Sequence, residues 1–249
     1  MKRSENEAVR RPDTRDDATP WKLYNRLIEG IPEDIAVRDY CLGTHWSYVE
    51  ADCGMGVSFT CKGGSRRACK QDLRGTGLRE MAELAKSWCF EEATLGVAAL
   101  NAYYARKELL DPLGATYDEP IELPDGTVRK MDAFELYRPR IEASERKNVT
   151  VVGHFPHVDR IAEYANLTVL ERNCSQELDT PAPACEYVLP DTDFAFITGV
   201  TIINKTAPRL LELARNATTV LVGPSVVMSS VLFEQGADAL AGSVVADPE

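Results

Sequence analysis

Between residues 148 and 225 the chain repeats one pattern four times: a short run of β-branched and apolar residues, then a turn, then a polar or helical stretch. The runs are NVTVVG (148–153), LTVLER (167–172), DFAFITG (193–199) and TTVLVGPS (218–225), separated by segments such as HVDRIAEYA and APRLLELARNA. Short β-rich runs bounded by turns suit buried strands, and alternation of strand with helix makes neighbouring strands parallel. Residues 148–249 are therefore expected to form a doubly wound, mostly parallel sheet of the α/β class. Ligands of such a sheet bind outside the carboxyl ends of its strands.

The first half has a different pattern. WKLYNRLIEGI places Leu23, Leu27, Ile28 and Ile31 at helical spacing before Pro32. The stretch DIAVRDYCLGTHWSYVEADCGMGVSFTC then alternates and turns as short antiparallel strands do, with Gly43, Gly54 and Gly56 as punctuation. LREMAELAKSW and EEATLGVAALNAYYARKELL return to helical spacing, and the second is expected to stop at Asp111-Pro112. This divides the chain into a disordered tail over 1–20, an α+β unit over 21–110, a linker with a connecting helix over 111–147, and the α/β unit over 148–249.

At 249 residues the chain is long enough for two cores. A net charge of −11 argues against nucleic acid and against anionic membranes as partners. No apolar run approaches the roughly 18 residues a spanning helix needs, and MKRSENEAVRRPDTRDDATP lacks the apolar centre of a secretory signal. A cytoplasmic protein without membrane insertion is expected. Its seven cysteines include no Cys-x-x-Cys pair, which speaks against both a zinc ribbon and a disulfide framework. A homodimer is expected only on the general tendency of such proteins to self-associate.

Four loops should converge at the strand ends. They contribute Gly153, His154 and Phe155; Glu171; Thr198, Asn204, Lys205 and Thr206; and Gly223, Pro224 and Ser225. Two of the three histidines stand in one loop, and His154, ahead of the helix expected after Pro156, is the better ligand or base than His157. Glu171 ends the second strand, where an acidic residue meets ribose hydroxyls in nucleotide binders. A dinucleotide is disfavoured, because G-x-G-x-x-G is missing and His-Phe-Pro fills the pyrophosphate position. Thr206 is placed to cap the helix that begins near Ala207. In the first unit, Glu92 complements a helix N-terminus, and Asn101 and Tyr104 put polar groups on a face otherwise made for packing.

Several long stretches, KSWCFEEATLGVAALNAYYARKE, VVGHFPHVDRI, PACEYVLPDTDFAFITG, INKTAPRLLELARNA and LVGPSVVMSSVLFEQGADALAG, resemble the family described as "putative heavy-metal chelation" proteins. The resemblance implies an N-terminal domain similar to the enolase N-terminal fold, joined to a Rossmann-like domain, with a site between them. It adds Glu92 and Asn101 to His154, Glu171, Lys205 and Gly223 as pocket residues.

Three functions follow as expectations. The first is a metal-handling protein in which His154 and Glu171 coordinate a transition metal at the domain interface. The second is an enzyme or sensor for a nucleoside-type ligand, a nucleotide or S-adenosylmethionine, with Glu171 on the ribose. The third is a non-catalytic accessory of a metal transport system.

Overall fold

The computed structural model describes residues 20–67, 71–117 and 132–246, with the backbone alone of 121–122 and 128–129. The expected tail before Pro20, Cys69 and much of the expected linker lie outside the described residues.

Helix α1 (Lys22–Glu29) buries Leu23, Tyr24, Leu27 and Ile28, the predicted stripe with Tyr24 added. Strands β1 (Val37–Leu42), β2 (Trp46–Ala51) and β3 (Gly54–Phe59) form an antiparallel sheet in that order. Helices α2 (Leu78–Ala82) and α3 (Phe90–Tyr104) cover it. All but three residues of α3 are buried, so this helix runs through the core with no polar face to solvent. Its approach to β3 is set by Gly56, where a Cβ would stand 2.1 Å from the Ala102 nitrogen.

The expected single helix to Asp111-Pro112 is corrected here. It stops at Tyr104, Arg106 turns extended, and a separate short helix α4 (Lys107–Leu110) follows. The turn lets Arg106 fold back, its Nε donating to the Tyr103 carbonyl at 2.8 Å and its guanidinium resting over the Tyr103 ring. A two-stranded ribbon, β4 (Ile121–Glu122) with β5 (Val128–Arg129), leads to helix α5 (Ala133–Ile141), capped by Asp132, which accepts from the Glu135 backbone N–H.

The second sheet has six parallel strands: β6 (Asn148–Val152), β7 (Asn166–Glu171), β8 (Asp179–Pro181), β9 (Phe194–Thr198), β10 (Thr218–Val222) and β11 (Ala239–Ala241). Across the sheet they run β8-β7-β6-β9-β10-β11. This is the 3-2-1-4-5-6 order of dinucleotide-binding folds, so the chain reverses direction between β6 and β9. Four of the strands were predicted from their apolar runs, whereas β8 and β11 are three-residue edges. The segment HVDRIAEYA, expected as an α-helix, is a 3-10 turn over Val158–Glu163, too short between β6 and β7 to wind further.

Alternation sorts the two faces. Phe194, Phe196, Val220 and Val149 look towards α5 and the 3-10 turn, where Phe134 and Tyr137 pack edge-on or tilted against Phe194 and Phe196. Ala195, Ile197, Leu221 and Leu170 look the other way, towards α7 (Val200–Ile203) and α8 (Ala207–Leu213). That second core continues without interruption into the core of the first sheet. The remaining helices are α6 (Cys185–Val188) and α9 (Ser230–Glu234), and α9 meets α1 through the Arg26–Glu234 ion pair at 2.5 Å. Among the described residues no helix is long and apolar enough to cross a membrane.

Candidate functional site

At the reversal point the chain leaving β6 passes so close to β9 that a side chain would have to push Thr198 aside. Gly153 has φ +100, and a Cβ there would lie 2.9 Å from Thr198 Cγ2. The Phe155 ring then stands beside both Gly153 and Gly223 and packs edge-on against Phe134, with ring centroids 5.3 Å apart. Gly153, Phe155, Thr198 and Gly223 are thus together, with an aromatic side chain over the strand ends where a pyrophosphate would otherwise rest.

His154 turns to a partner that sequence reasoning did not find. Its Nε2 lies 2.5 Å from Asp179 Oδ1, and the other Asp179 oxygen accepts from the backbone N–H groups of Ser175 and Gln176 at 2.7 and 2.8 Å. Burial raises the Asp179 carboxyl, but those donors and His154 outweigh it and hold the group below its ordinary value. The expectation that His154 faces Glu171 is corrected accordingly. Glu171 instead accepts the Arg172 backbone N–H at 2.7 Å. An ionised carboxylate can only accept, so Nε2 of His154 carries the proton in its bond to Asp179. His157 stands just before the 3-10 turn with φ 61.

Pro224 and Ser225 fasten the two sheets together. Ser225 Oγ accepts from the Phe59 N–H at 2.9 Å and lies 3.0 Å from Ser58 Oγ. Asn101 on α3 donates through Nδ2 to Val57 O at 2.9 Å and Pro224 O at 3.1 Å, while its buried Oδ1 finds no partner among the described residues. Gly199 makes this junction tight, since a Cβ on it would stand 2.4 Å from the Val226 nitrogen. Thr206 does not cap α8 through its side chain. Its hydroxyl and its N–H both donate to Asn204 Oδ1, at 2.6 and 3.1 Å, so Asn204 organises the turn into α8.

Lys205 occupies the most unusual position. Its backbone is left-handed, φ 66, which costs a side-chain-bearing residue about 1–2 kcal/mol. Its ammonium donates across the junction to the Ser87 carbonyl and, at 2.7 Å, to the Ile203 carbonyl. It stands over the faces of Trp88 and Phe90, 5.6 and 5.7 Å from their centroids. Burial pushes its pKa down to about 8, with the nearby thiols of Cys61 and Cys89 acting in the opposite sense. Ser87 also donates from Oγ to the buried Glu92 carboxylate at 2.6 Å. On the same Phe90 ring, 5.4 Å from its centroid, lies the guanidinium of Arg172. Burial raises the Cys61 thiol, and Arg172 and Lys205 both pull it back, so all three groups share one corner.

Two family models match the amino-acid sequence, each described as "Putative heavy-metal chelation": DUF4213 over residues 24–104 and DUF364 over residues 135–249. An uncharacterized protein of Methanocaldococcus jannaschii is 30% identical over 223 residues, which is 84% of this chain and 78% of that one. The chain belongs to the family so described. A crystal structure of a DUF364 protein of unknown function from Desulfitobacterium hafniense is similar with a TM-score of 0.78 and 36% identity, over 91% of this chain and 87% of that one. A second, from Pyrococcus horikoshii, shares the fold at a TM-score of 0.63 and 23% identity, over 83% and 79%.

The family description implies a metal, and the donors fit one poorly. Among the described residues no three His, Cys, Asp or Glu side chains are grouped so as to hold an ion. Of the two expected ligands, His154 has given Nε2 to Asp179 and Glu171 has turned one oxygen to its neighbour's backbone. A cavity of about 210 Å³ opens at the other end of the parallel sheet, beside Asn148 and Asn166 at the amino ends of β6 and β7. Part of its polar lining is already bonded, as in the Thr150–Thr192 hydroxyl pair at 2.6 Å, and the carboxyl ends remain the better candidate. Sequence reasoning missed Arg172, Asp179, Cys61 and the Trp88–Phe90 platform. The quoted stretches LTVLER and KSWCFEEATLGVAALNAYYARKE contained three of these five, Arg172, Trp88 and Phe90.

Proposed function

We propose that this protein handles a transition metal as cargo, through a ligand site at the carboxyl ends of β6, β7 and β9 where they meet the start of α3. The observation that carries the reading is Lys205. A left-handed lysine with a half-buried ammonium, fixed to the Ser87 carbonyl across the two sheets, is a costly arrangement of the kind that collects at functional sites. Arg172, next to Glu171 at the end of β7, shares the Phe90 ring with Lys205, and Glu92 accepts from the Ser87 hydroxyl. The family description supplies the metal.

The test is metal analysis of the full chain purified without chelators, together with melting temperatures measured with and without added Ni(II), Co(II), Zn(II) and Fe(III). Retained metal, or a metal-dependent rise in Tm, is the expected result. One further observation favours the nucleoside reading: Glu171 ends the second strand of a 3-2-1-4-5-6 sheet, the ribose-binding position. A rise in Tm with nucleotides or S-adenosylmethionine and none with metals would replace the metal reading by that one.

A further inference from the structure

We propose that the site takes its metal already wrapped in an anionic small molecule, and that Arg172 and Lys205 hold the carboxylate or phosphate groups of that molecule over the Trp88–Phe90 platform. This rests on the metal-handling reading and narrows it from a metal ion to a metal chelate.

Two cations share one aromatic ring. The Arg172 guanidinium and the Lys205 ammonium stand 5.4 and 5.7 Å from the Phe90 centroid, and both charges act on the Cys61 thiol. Six of the described arginines, Arg26, Arg38, Arg74, Arg79, Arg138 and Arg209, each reach a carboxylate. Among the described residues neither Arg172 nor Lys205 does. Lys205 is held by two carbonyl oxygens, which fix an ammonium without neutralising it, and it keeps a third N–H. Arg172 has its whole donor fork free for a planar, two-oxygen partner.

The surroundings complete a pocket of mixed chemistry. Trp88 is 58% exposed beside Lys205, an apolar wall that a small ligand can cover. Glu91 and Glu171 stand at the margin: Glu91 accepts from the Cys89 thiol at 3.5 Å and Glu171 accepts from the Arg172 N–H. They oppose a second negative charge at the rim and so favour a ligand whose own charge is partly cancelled by a metal. With His154 committed to Asp179, the protein offers the ion little and offers the chelator's oxyanions two unneutralised cations.

The experiment is calorimetry on the full chain with four probes: Ni(II) alone, citrate alone, the Ni(II)–citrate complex, and inorganic phosphate. Citrate represents any polycarboxylate chelator. The complex should bind at least tenfold more tightly than citrate or phosphate, with Ni(II) alone weaker still. Arg172→Gln and Lys205→Gln should each weaken it by tenfold or more, and Lys205→Arg should restore part of the loss. Arg74→Gln, in the distant β1 ion-pair cluster, should change nothing. Arg172 is exposed, so its variant tests the proposal even if Lys205→Gln unfolds.

Ni(II) binding unaffected by citrate and by both substitutions would overturn the chelate inference while leaving the metal reading intact. Binding of citrate or phosphate that ignores the metal but is lost in Arg172→Gln would keep the oxyanion clamp and remove the metal reading. No binding of any probe would overturn the inference.

Discussion

Two loops leave adjacent strands at the reversal point of the parallel sheet, and they treat charge in opposite ways. The β6 loop carries His154, a chemically conspicuous side chain, and spends it on a pairing with Asp179 that ties down the turn before β8. The β9 corner carries Lys205, one of many basic residues in the sequence, and leaves it half-buried without a carboxylate. The difference teaches that residue type ranks candidates poorly where tertiary partners decide whether a charge is free. A rare histidine that is satisfied has less to offer a ligand than a common lysine that is not.

The sharpest way to break this comparison is through the glycines that fix each loop. Gly199→Ala sets a Cβ 2.4 Å from the Val226 nitrogen and 2.5 Å from the Ser225 carbonyl carbon, backbone atoms that cannot swing aside. A loss of about 3 kcal/mol or more in urea unfolding is expected from overpacking of this kind. Gly153→Ala combines φ +100 with a contact to the Thr198 methyl, which can move, and should cost about 2 kcal/mol. If Gly153→Ala proves the more damaging, the β6 loop, and not the β9 corner, is the rigid side.

The sequence made the inner strands legible for a physical reason. β6, β9 and β10 are buried on both faces, so the apolar runs NVTVVG, DFAFITG and TTVLVGPS show them directly. The edges are not legible, because β8 contains Pro181 and β11 is Ala-Leu-Ala, three residues with no pattern to read. The same limit applied to the site. The carboxyl-end loops, Gly153 among them, followed from the fold rule, whereas Asp179 lies in a polar stretch whose meaning depends on His154 folding over it. The freedom of Arg172 and Lys205 from carboxylates exists only after the two sheets are joined.

A second prediction concerns pH at the β9 corner. Lys205 faces the thiols of Cys61 and Cys89 with Arg172 nearby, and burial holds its pKa at about 8 in the folded protein. The unfolded chain keeps that proton up to the ordinary lysine range, so between pH 8 and that range the unfolded state binds more protons and stability rises with pH. Lys205→Gln should flatten this rise in a series of melts. Oxyanion binding should move in the opposite direction, weakening as pH climbs through 8. Parallel pH curves for the wild type and Lys205→Gln would show that the ammonium is solvated like any surface lysine.

At the β6 loop the matching prediction is local. His154→Ala should leave the global melt nearly unchanged while the Ser175 and Gln176 amides exchange faster, because Asp179 loses the partner that orients it. The Asp179 carboxyl is held below its ordinary value, so this stabilisation is present above the usual carboxylate range and lost as pH falls through the folded value. Hydrogen exchange that shows no change at these two amides would remove Asp179 from its assigned role. A large loss of chelate binding in the same variant would restore His154 to the centre of the site.

The smallest effect tests the second left-handed residue. His157 has φ 61, is exposed and donates no side-chain cap, so nothing in its contacts offsets the strain. Glycine at that position removes about 1–2 kcal/mol of steric cost but returns about 0.5–1 kcal/mol through the greater freedom of the unfolded chain. His157→Gly should therefore stabilise the protein by about 0.5–1 kcal/mol, with chelate binding unchanged. Lys205→Gly relieves the same backbone strain but gives up the bonds to the Ser87 and Ile203 carbonyls, so it should stabilise by less while binding collapses. Two left-handed residues of like geometry would then differ only in function: strain at His157 can be removed without a binding penalty, whereas strain at Lys205 holds the cation where the ligand needs it. Equal binding in the two glycine variants would mean that Lys205 is only a second awkward turn.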